Sequence, residues 1–507
     1  MIDRKNRVPA LFTTCALALL ALLGGCRVGP PYHAPAPPAV TAPNYKESTV
    51  NFKDTEGWKV ASPQDAMIRG NWWEVFGEPE LNALEEQLNI NNENLKEYFQ
   101  NYMSARAMIA EARSQYWPTI TAVPSWQRAR TSANQSVSST ATTGRTYGLW
   151  NAPLDVSWAP DFWGKIRNEV HEAQYASQVS AADLQTEKLT EQADLAEYFF
   201  EIRGQDMLQQ ILNQTVVADQ KSLAYNQAQY DTGVGDYISV AEAKTTLESA
   251  EAAATNVGLL RGQYEHAIAV LLGKAPTDFS IPVKPLIYTA PAIPTGVPSQ
   301  LMERRPDIAA AERTLAEENA IIGIGYGAFF PQVTISATGG FESALFKNLF
   351  DWPSRIWSIG PSVSETIFDG WLYQAELHQY VAQYNADVAT YRQTVLTAFQ
   401  QVEDSLVATR TYSQQILREQ QAVKDSEDYL NLELVRYNTG VDPYVDVVIA
   451  QTTLLTNQET LNALQVEEMT SAVELVQALG GGWDLSQLPT PQQVGAKTTK
   501  ADYTLQR

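Results

Sequence analysis

The chain repeats itself at a spacing of 207 residues. The segment Tyr230–Val234 reads YDTGV, and Tyr437–Val441 reads YNTGV. Three further pairs keep the same spacing: Arg203 and Arg410, Tyr237 and Tyr444, and Leu272 and Leu479. A period this long excludes short-repeat solenoids, whose units span about 20–50 residues. The sequence therefore indicates two tandem copies of one large unit.

The charge balance excludes one class of partner. The chain carries 58 acidic and 36 basic residues among 507, which gives a formal net charge of −22. Binding to nucleic acid needs basic clusters that neutralise phosphates. We therefore expect no nucleic-acid partner. The four histidines show no metal-ligand spacing, so no metal site is expected either.

The N-terminus has the order of a secretory signal. Basic residues at positions 4, 5 and 7 precede an apolar run that ends in Leu22-Leu23-Gly24-Gly25-Cys26. This order is typical of a cleaved signal peptide. The cysteine directly after two glycines resembles the lipobox of bacterial lipoproteins, and this resemblance implies that residues 1–25 are removed and that Cys26 is acylated as the mature N-terminus. The alternative is a generic signal with an incidental cysteine. Because Cys15 would be removed with the signal, no disulfide is expected in the mature chain.

Alternating apolar and polar residues occur twice in each repeat. The candidate strands are about 118–128 and 147–158 in repeat one, and about 331–341 and 356–367 in repeat two. Strands of this length suit a tilted crossing of a bilayer. Trp150 and Trp158 would stand ~20 Å apart along the membrane normal, and with Trp357 they are expected at the headgroup belts. A soluble sheet with one buried face explains the alternation at least as well.

Each second strand leads into a very long helical segment, from about Gly164 to Gln229 and from Gly370 to Tyr437. Such a helix spans ~100 Å, which is longer than the core of a compact domain. In the second segment a heptad stripe recurs at Val388, Val395, Val402, Thr409, Ile416, Val423, Leu430 and Tyr437. A sustained heptad predicts coiled-coil packing. We expect helices side by side in a wall wetted on at least one face; a soluble four-helix bundle is the alternative.

These patterns divide the chain into six parts. The expected boundaries are 1–25 for the signal peptide, 26–78 for the lipid anchor, Pro-rich tether and N-terminal segment, 79–273 for repeat one, 274–297 for the linker, 298–480 for repeat two and 481–507 for the tail. The prolines of the tether favour an extended, hydrated segment outside the folded body. Each repeat is expected to run as helix (about 80–115 in repeat one), two strands, long helix and return helix (about 237–272 and 444–479). Four strands cannot close a barrel in lipid, so membrane-crossing strands would require several copies.

Four segments resemble the TolC-type outer-membrane efflux channels, specifically the lipoprotein branch that serves resistance–nodulation–division (RND) pumps. They are Leu301–Asp307, Ala328–Val333, Arg436–Val441 and Ala478–Trp483. The resemblance implies a mostly α fold with a membrane β-barrel. Four strands per chain would contribute to a trimeric 12-stranded barrel, continued by a long α-helical coiled-coil tunnel.

The resemblance also implies a function. It predicts a lipid-anchored channel of the outer membrane with a periplasmic tunnel, which contacts outer-membrane lipid and passively exports drugs or other small toxic compounds. The implied partners are a periplasmic adaptor and an inner-membrane RND transporter; no cofactor and no enzymatic activity are implied. Two other functions remain open: a duct for type I protein secretion, and an envelope coiled-coil scaffold without a pore.

The resemblance places the periplasmic entrance at two helical-hairpin tips, about 231–238 and 438–446. The tip residues expected to meet the adaptor are Gly233, Val234, Gly235, Gly440, Val441 and Asp442. Similar channels carry two acids in the second tip; here Asp446 matches the first, and Ile449 stands in place of the second. Glu242 occupies the equivalent of Ile449 in repeat one. We therefore hypothesise two rings of charge, Asp446 and Glu242, with Val445 narrowing the closed entrance.

Some tip residues have simpler interpretations. Asp236 and Asp442 lie just before helices, and we expect them to act as helix caps. Four tip tyrosines could latch the closed tip through hydrogen bonds, but packing between helices is the favoured interpretation; they are Tyr230, Tyr237, Tyr437 and Tyr444.

Overall fold

A computed structural model describes residues 27–38, 45–47, 70–132, 144, 146–286, 290–291, 293 and 301–497. In the first half, helices α1 (Pro79–Asn91) and α2 (Glu93–Ser114) precede strands β1 (Thr119–Ala122), β2 (Ser125–Arg130) and β3 (Thr146–Trp158), then helices α3 (Lys165–Asp231) and α4 (Tyr237–Leu271). In the second half, α5 (Leu301–Arg304) and α6 (Pro306–Gly327) precede β4 (Gln332–Ser343), β5 (Arg355–Ser364), α7 (Leu372–Asn438) and α8 (Tyr444–Ala478), and α9 (Pro491–Val494) follows. The two halves thus share one order of elements.

The long helices α3 and α7 form the frame of the molecule. Each has 67 residues, which corresponds to ~100 Å. Helix α3 packs against α2, α4, α6 and α8, and α7 packs against α6 and α8. The heptad prediction is confirmed, because none of the eight positions of α7 in the heptad stripe is exposed. Helix α8 ends where α6 begins, and the Arg305 guanidinium donates to the Ala478 carbonyl at 2.9 Å. Among the described residues, no helix has the length and apolar character of a membrane span.

The first helix is broken, contrary to the prediction of one helix over about 80–115. Asn92 separates α1 from α2 with an extended backbone (φ −58°, ψ 127°), and its side chain accepts a hydrogen bond from the Leu95 amide at 2.9 Å. The same side chain donates to Glu191 of α3 and to the Leu271 carbonyl. Asn92 thus caps one helix and ties three helices together, and helical periodicity alone does not reveal such a break.

The N-terminal tether lies against the helices, so the prediction of a hydrated segment outside the folded body is wrong for residues 29–38, the part of the tether that the structure describes. The Asn168 amide donates to the Val28 carbonyl at 3.1 Å, and the Asn319 amide donates to the Pro30 carbonyl at 3.1 Å. Tyr45 is only 4% exposed. Asparagine side chains satisfy the carbonyls of the proline-rich chain, which has few amides to pair. We call residues 27–38 and 45–47 the N-terminal strap.

The equivalent arginines of the two repeats hold outer segments in place. Arg203 of α3 donates to the Pro282 carbonyl of the linker at 2.7 Å and is fully buried. Arg410 of α7 binds Glu47 of the N-terminal strap at 2.5 Å, and its side chain is 40% exposed. The duplication therefore preserves the role of this arginine, whereas its burial differs between the repeats.

Candidate functional site

The strands form one antiparallel sheet whose two faces differ in chemistry. In the order β1 and β2, β3, β4, β5, every neighbouring pair is antiparallel. The register places one row of residues on a shared face: Ile120, Ala122, Trp126, Trp150, Ala152, Leu154, Val156, Trp158, Ile335, Ala337, Trp357, Ile359 and Val363. The opposite face carries Thr121, Asp155, Ser157, Thr334, Ser336, Thr338, Ser358 and Ser362. We call these the apolar face and the polar face.

The first predicted strand is interrupted. Residues about 118–128 were expected to form one strand, but β1 ends at Ala122 and β2 begins at Ser125. The register against β3 continues across the gap, because Ala122 pairs with Leu154 and Ser125 pairs with Asn151. Pro124 has no amide hydrogen, and Pro153 in this stretch of β3 has none either, so the ladder loses hydrogen bonds there without a bulge.

The sheet ends in two edges that have no partner within the described chain. These edges are β1 with β2 on one side and β5 on the other. Along β5 the apolar side chains are largely exposed, including Trp357 at 76% and Ile359 at 70%. An open, apolar edge is a template for pairing with another strand. A single chain therefore presents an unfinished sheet.

The predicted belt tryptophans occupy different levels of the sheet. Trp150 lies near the hairpin end and packs against Trp126, with ring centroids 5.7 Å apart. Trp158 lies at the helix end and donates its indole N–H to the Tyr116 carbonyl at 3.0 Å. Trp357 pairs with Gly339, which pairs with Leu154, so its register level lies between the other two tryptophans.

The opposite end of the molecule consists of two hairpin tips with the same backbone geometry. Gly233 and Gly440 both have φ 74°, a left-handed conformation that favours glycine. The Val234 amide donates to the Gln229 carbonyl, and the Val441 amide donates to the Arg436 carbonyl, each at 2.9 Å. This pattern closes the C-terminus of a long helix and turns the chain into its return helix. Val234 and Val441 are exposed at the two apices, with Gly235 beside the first.

Asp442 does not cap α8, so the capping prediction is wrong for this residue. Pro443 holds the N-cap position, and the Asp442 carboxylate instead pairs with the Arg436 guanidinium through two hydrogen bonds. This pairing lowers the pKa of Asp442. Partial desolvation and the neighbouring Asp442 charge raise the pKa of Glu433. The carboxylates of Glu433, Asp442 and Asp446 lie within 4.8 Å of one another, so Asp446 stands in a crowded acidic group beside one arginine.

Asp236 of the first tip does cap its helix, as predicted. The Asp236 carboxylate accepts a hydrogen bond from the Ser239 amide at 2.8 Å, which lowers the pKa of Asp236. The repeats therefore use their tip aspartates differently. In repeat two Pro443 occupies the N-cap position equivalent to Asp236, so Asp442 lies one residue too early to cap the helix.

The tip tyrosines both pack and form hydrogen bonds. The rings of Tyr437 and Tyr444 lie 5.3 Å apart, in agreement with the packing interpretation. The Tyr437 hydroxyl also donates to Asn226 of α3 and lies 3.1 Å from the Gln229 side-chain oxygen. The charge of Glu242 acts on the hydroxyls of both tyrosines. The structure thus places Glu242 beside the tyrosines and Asp446 in the acidic group, while Val445 is 41% exposed.

A buried acid near the tips was missed by sequence reasoning. Asp219 of α3 is 1% exposed, and neither carboxylate oxygen has a hydrogen-bond partner within the described residues. Burial raises the pKa of Asp219 to about 6. No sequence signal distinguishes this acid from the many exposed ones, because its burial depends on the packing of α3 against the second hairpin.

The raised pKa of Asp219 predicts that the stability of the fold depends on pH. Its folded pKa lies above the unfolded value of about 3.9, so the folded state binds the extra proton between about pH 4 and 6. Stability should therefore fall as the pH rises through this window, by an amount on the order of 3 kcal/mol. Asp219→Asn should remove this loss in thermal unfolding followed by circular dichroism from pH 4 to 8. Asp231→Asn, at an exposed position of the same helix, should keep it; equal pH profiles for both variants would contradict the assignment.

The sequence profile of a family described as "Outer membrane efflux protein" matches residues 84–274 and 297–481, one segment for each half. The chain belongs to the outer membrane efflux protein family. This membership accounts for the open sheet at one end and the long helices that continue it, and it places the protein in the outer membrane.

Relatives of this outer membrane efflux protein match it over nearly its full length. ArpC of Pseudomonas putida, an antibiotic efflux pump outer membrane protein, is 29% identical over 488 residues, with 96% of this chain and 99% of ArpC covered. OprJ of Pseudomonas aeruginosa, an outer membrane protein, is 30% identical over 491 residues, with 94% and 97% covered. The solved outer-membrane channel OprN superposes with a TM-score of 0.79 at 26% identity, with 90% of this chain and 100% of OprN covered.

The family membership confirms the predicted fold class, mostly helical with barrel strands continued by a helical tunnel. The relatives are channel proteins rather than enzymes. The roles assigned to the tip residues, to the belt tryptophans and to Cys26 stay predictions. Cys26 lies outside the described residues; the structure begins at the next position.

Proposed function

We propose that this protein is the outer-membrane channel of a tripartite efflux system, and that it passively exports drugs or other small toxic compounds. The observation that carries the proposal is the unfinished sheet with one apolar face, joined directly to two helices of 67 residues. The name of ArpC describes a component of an antibiotic efflux pump, and this chain matches 99% of the length of ArpC. This similarity supports the same function.

Closure of the sheet requires other copies of the chain. Pairing of β5 of one copy with β1 and β2 of the next would satisfy both open edges, which hydrocarbon does not tolerate. Three copies would give twelve strand positions, and the polar face would then line the lumen. A homotrimer is the assembly that the resemblance to TolC-type channels implies.

The tips contact the other proteins of the efflux system, and the N-terminal strap leads to the lipid anchor. In this proposal a periplasmic adaptor docks on the two tips, which present the exposed side chains of Val234 and Val441, and an inner-membrane RND transporter supplies the energy. The N-terminal strap begins at the junction of strands and helices, where the Val28 amide donates to the Trp163 carbonyl at 3.0 Å. An acyl group on the preceding Cys26 would therefore enter the leaflet beside the barrel.

The proposal is tested by assembly, conductance and export. The protein purified from outer membranes should migrate as a trimer without heating and as a monomer after heating. It should conduct ions in planar bilayers, and deletion of its gene should raise drug accumulation only when a cognate RND pump is present. A monomeric, non-conducting protein in detergent would refute the channel; normal drug efflux in the deletion strain would refute the efflux role.

The two charged positions of the entrance give a selectivity prediction. Rings of Asp446 and Glu242 would raise the local concentration of cations at the narrowest point. The double variant Asp446→Asn with Glu242→Gln should reduce the cation preference of single channels, read from the reversal potential in a salt gradient. The matched control is Asp351→Asn, an exposed acid at the far end of the molecule, which should leave the reversal potential unchanged. Unaltered selectivity of the double variant would refute the rings.

A further inference from the structure

We propose that the apolar face of the sheet carries a groove that binds an acyl chain of a bis-phosphorylated glycolipid of the outer leaflet. The inference rests on the proposed function, since it requires the strands to stand in the outer membrane. The groove lies over β3 and β4, the two central positions of the sheet, so pairing at the edges leaves it uncovered.

The groove is lined by small residues and by larger apolar ones. Its volume is about 660 Å³, and it is lined by Ala152, Leu154, Val156, Ala337, Gly339 and Phe341. A Cβ added at Gly339 would meet nothing within 4 Å. An apolar depression on a lipid-exposed surface must be filled by lipid, because water there would have no polar partners.

The connection between β4 and β5 folds over the outer end of this groove. Phe350 packs edge-on against Phe341 with centroids 5.6 Å apart, and Phe346 packs against Trp150 at 4.9 Å. Both contacts are made with the apolar face. Phe346 and Phe350 nevertheless stay 60% and 68% exposed. Apolar side chains this exposed, at the level where the strands leave the membrane, fit insertion between acyl chains.

The charges of the strands are segregated by face. All five charged residues within the described strands follow one rule: Arg128, Arg130 and Arg355 lie on the apolar face at the hairpin end, and Asp155 and Glu342 lie on the polar face. In a chain with a net charge of −22, this basic end is a local exception. Guanidinium groups bind phosphate oxygens through two parallel hydrogen bonds.

The positions of these arginines favour a headgroup with two phosphates. Arg128 and Arg130 stand on β2, on one side of the groove, and Arg355 stands on β5, on the other side. The Arg355 guanidinium lies 4.1 Å from the centroid of the Trp352 ring. This contact holds the positive charge near the membrane surface. Lys347 in the β4–β5 connection adds a further positive charge. A headgroup that bridges the groove with a phosphate at each end matches this arrangement, whereas a single phosphate reaches only one side.

The test uses trimers stripped of lipid and then incubated with defined lipids before native mass spectrometry. The probes are bis-phosphorylated lipid A, its mono-phosphorylated form and phosphatidylglycerol. Gly339→Leu fills the groove, and Gly360→Leu is its matched control, because Gly360 lies on the polar face of β5 and also has open space around its Cβ. We expect Gly339→Leu to reduce the occupancy of bis-phosphorylated lipid A roughly tenfold. Arg355→Gln should reduce it less, and Gly360→Leu should leave it unchanged.

Three results would overturn the inference. They are full occupancy in Gly339→Leu, an equal loss in Gly360→Leu, and binding of phosphatidylglycerol as tight as that of the bis-phosphorylated lipid. Trimer migration and conductance are measured on the same samples. Conducting trimers that retain no lipid would refute lipid binding in the groove but not the proposed channel. The absence of trimers in the wild-type protein would refute the proposed channel itself.

Discussion

Replacing Arg203 by methionine is expected to lower the free energy of unfolding by about 3–5 kcal/mol. The Arg203 side chain is fully buried, bonds Glu80 at 2.5 Å and Asp206 at 3.3 Å, and donates to the Pro282 carbonyl. Its guanidinium also lies 4.7 Å from the centre of the Phe199 ring. Methionine fills a similar space but leaves the buried carboxylate of Asp206 with less compensating charge and the carbonyl without its donor.

The chain supplies its own control for this prediction. Arg410 occupies the equivalent position of repeat two, but its side chain is 40% exposed and it bonds Glu47 alone among acidic side chains in the described residues. Exposed ion pairs contribute little to stability, so Arg410→Met should shift the thermal midpoint, followed by circular dichroism in detergent, much less than Arg203→Met. Equal shifts would show that the buried network does not stabilise the fold.

The periodic parts of the molecule could be predicted from the sequence. The duplication, the heptad stripe of α7 and the alternation along β3 each follow from spacing alone, because a helix or strand repeats its environment at a fixed interval. These signals are long, so single substitutions do not obscure them. They place the long helices within two residues of their observed ends, Asp231 and Asn438.

Most of the features that were missed depend on contacts between segments distant in sequence. Asn92 breaks a helix because Glu191, about 100 residues away, accepts its side-chain hydrogen bond. The N-terminal strap is packed because Asn168 and Asn319 offer donors to its carbonyls. Asp442 resembles a cap in sequence, yet Arg436 competes for its carboxylate. In the first two cases a partner distant in sequence decided which of the available interactions formed, whereas the partner of Asp442 lies six residues away in the same tip.

The candidate site, like the fold, could be predicted from the sequence only where periodic patterns or motifs mark it. The positions of the motifs located both tips and the sheet. Whether Asp446 acts alone or within an acidic group depends on Glu433, and no motif or periodic spacing in the sequence links these two residues. Asp219 shows the same limit, since its burial arises only when α3 meets the other hairpin.

Replacing Gly340 by alanine is expected to prevent assembly of the barrel. Gly340 pairs with Pro153 across β3 and β4. An added Cβ would lie 2.3 Å from the Ala152 carbonyl oxygen and 2.7 Å from the Pro153 Cα, and both are backbone atoms that cannot rotate away. The strands must separate locally, and overpacking of this kind costs about 1–3 kcal/mol in each chain. The pairing of β3 with β4 joins the strands of the two repeats within one chain, so the energetic cost weakens that connection. Every chain in the barrel carries the same cost, so the total grows with the number of copies.

The neighbouring glycine separates this crowding from a general intolerance of side chains. Gly339→Ala adds the same methyl group one residue earlier, on the apolar face, where nothing lies within 4 Å. Heat-modifiable trimers should therefore form normally in Gly339→Ala, whereas in Gly340→Ala they should be absent or should dissociate at a clearly lower temperature in unheated gels. If both variants dissociate at the wild-type temperature, the β3–β4 contact has more freedom than its backbone distances indicate. If both fail, the sheet rejects any added side chain at this level, and the close approach of Gly340 to Pro153 is not what controls assembly.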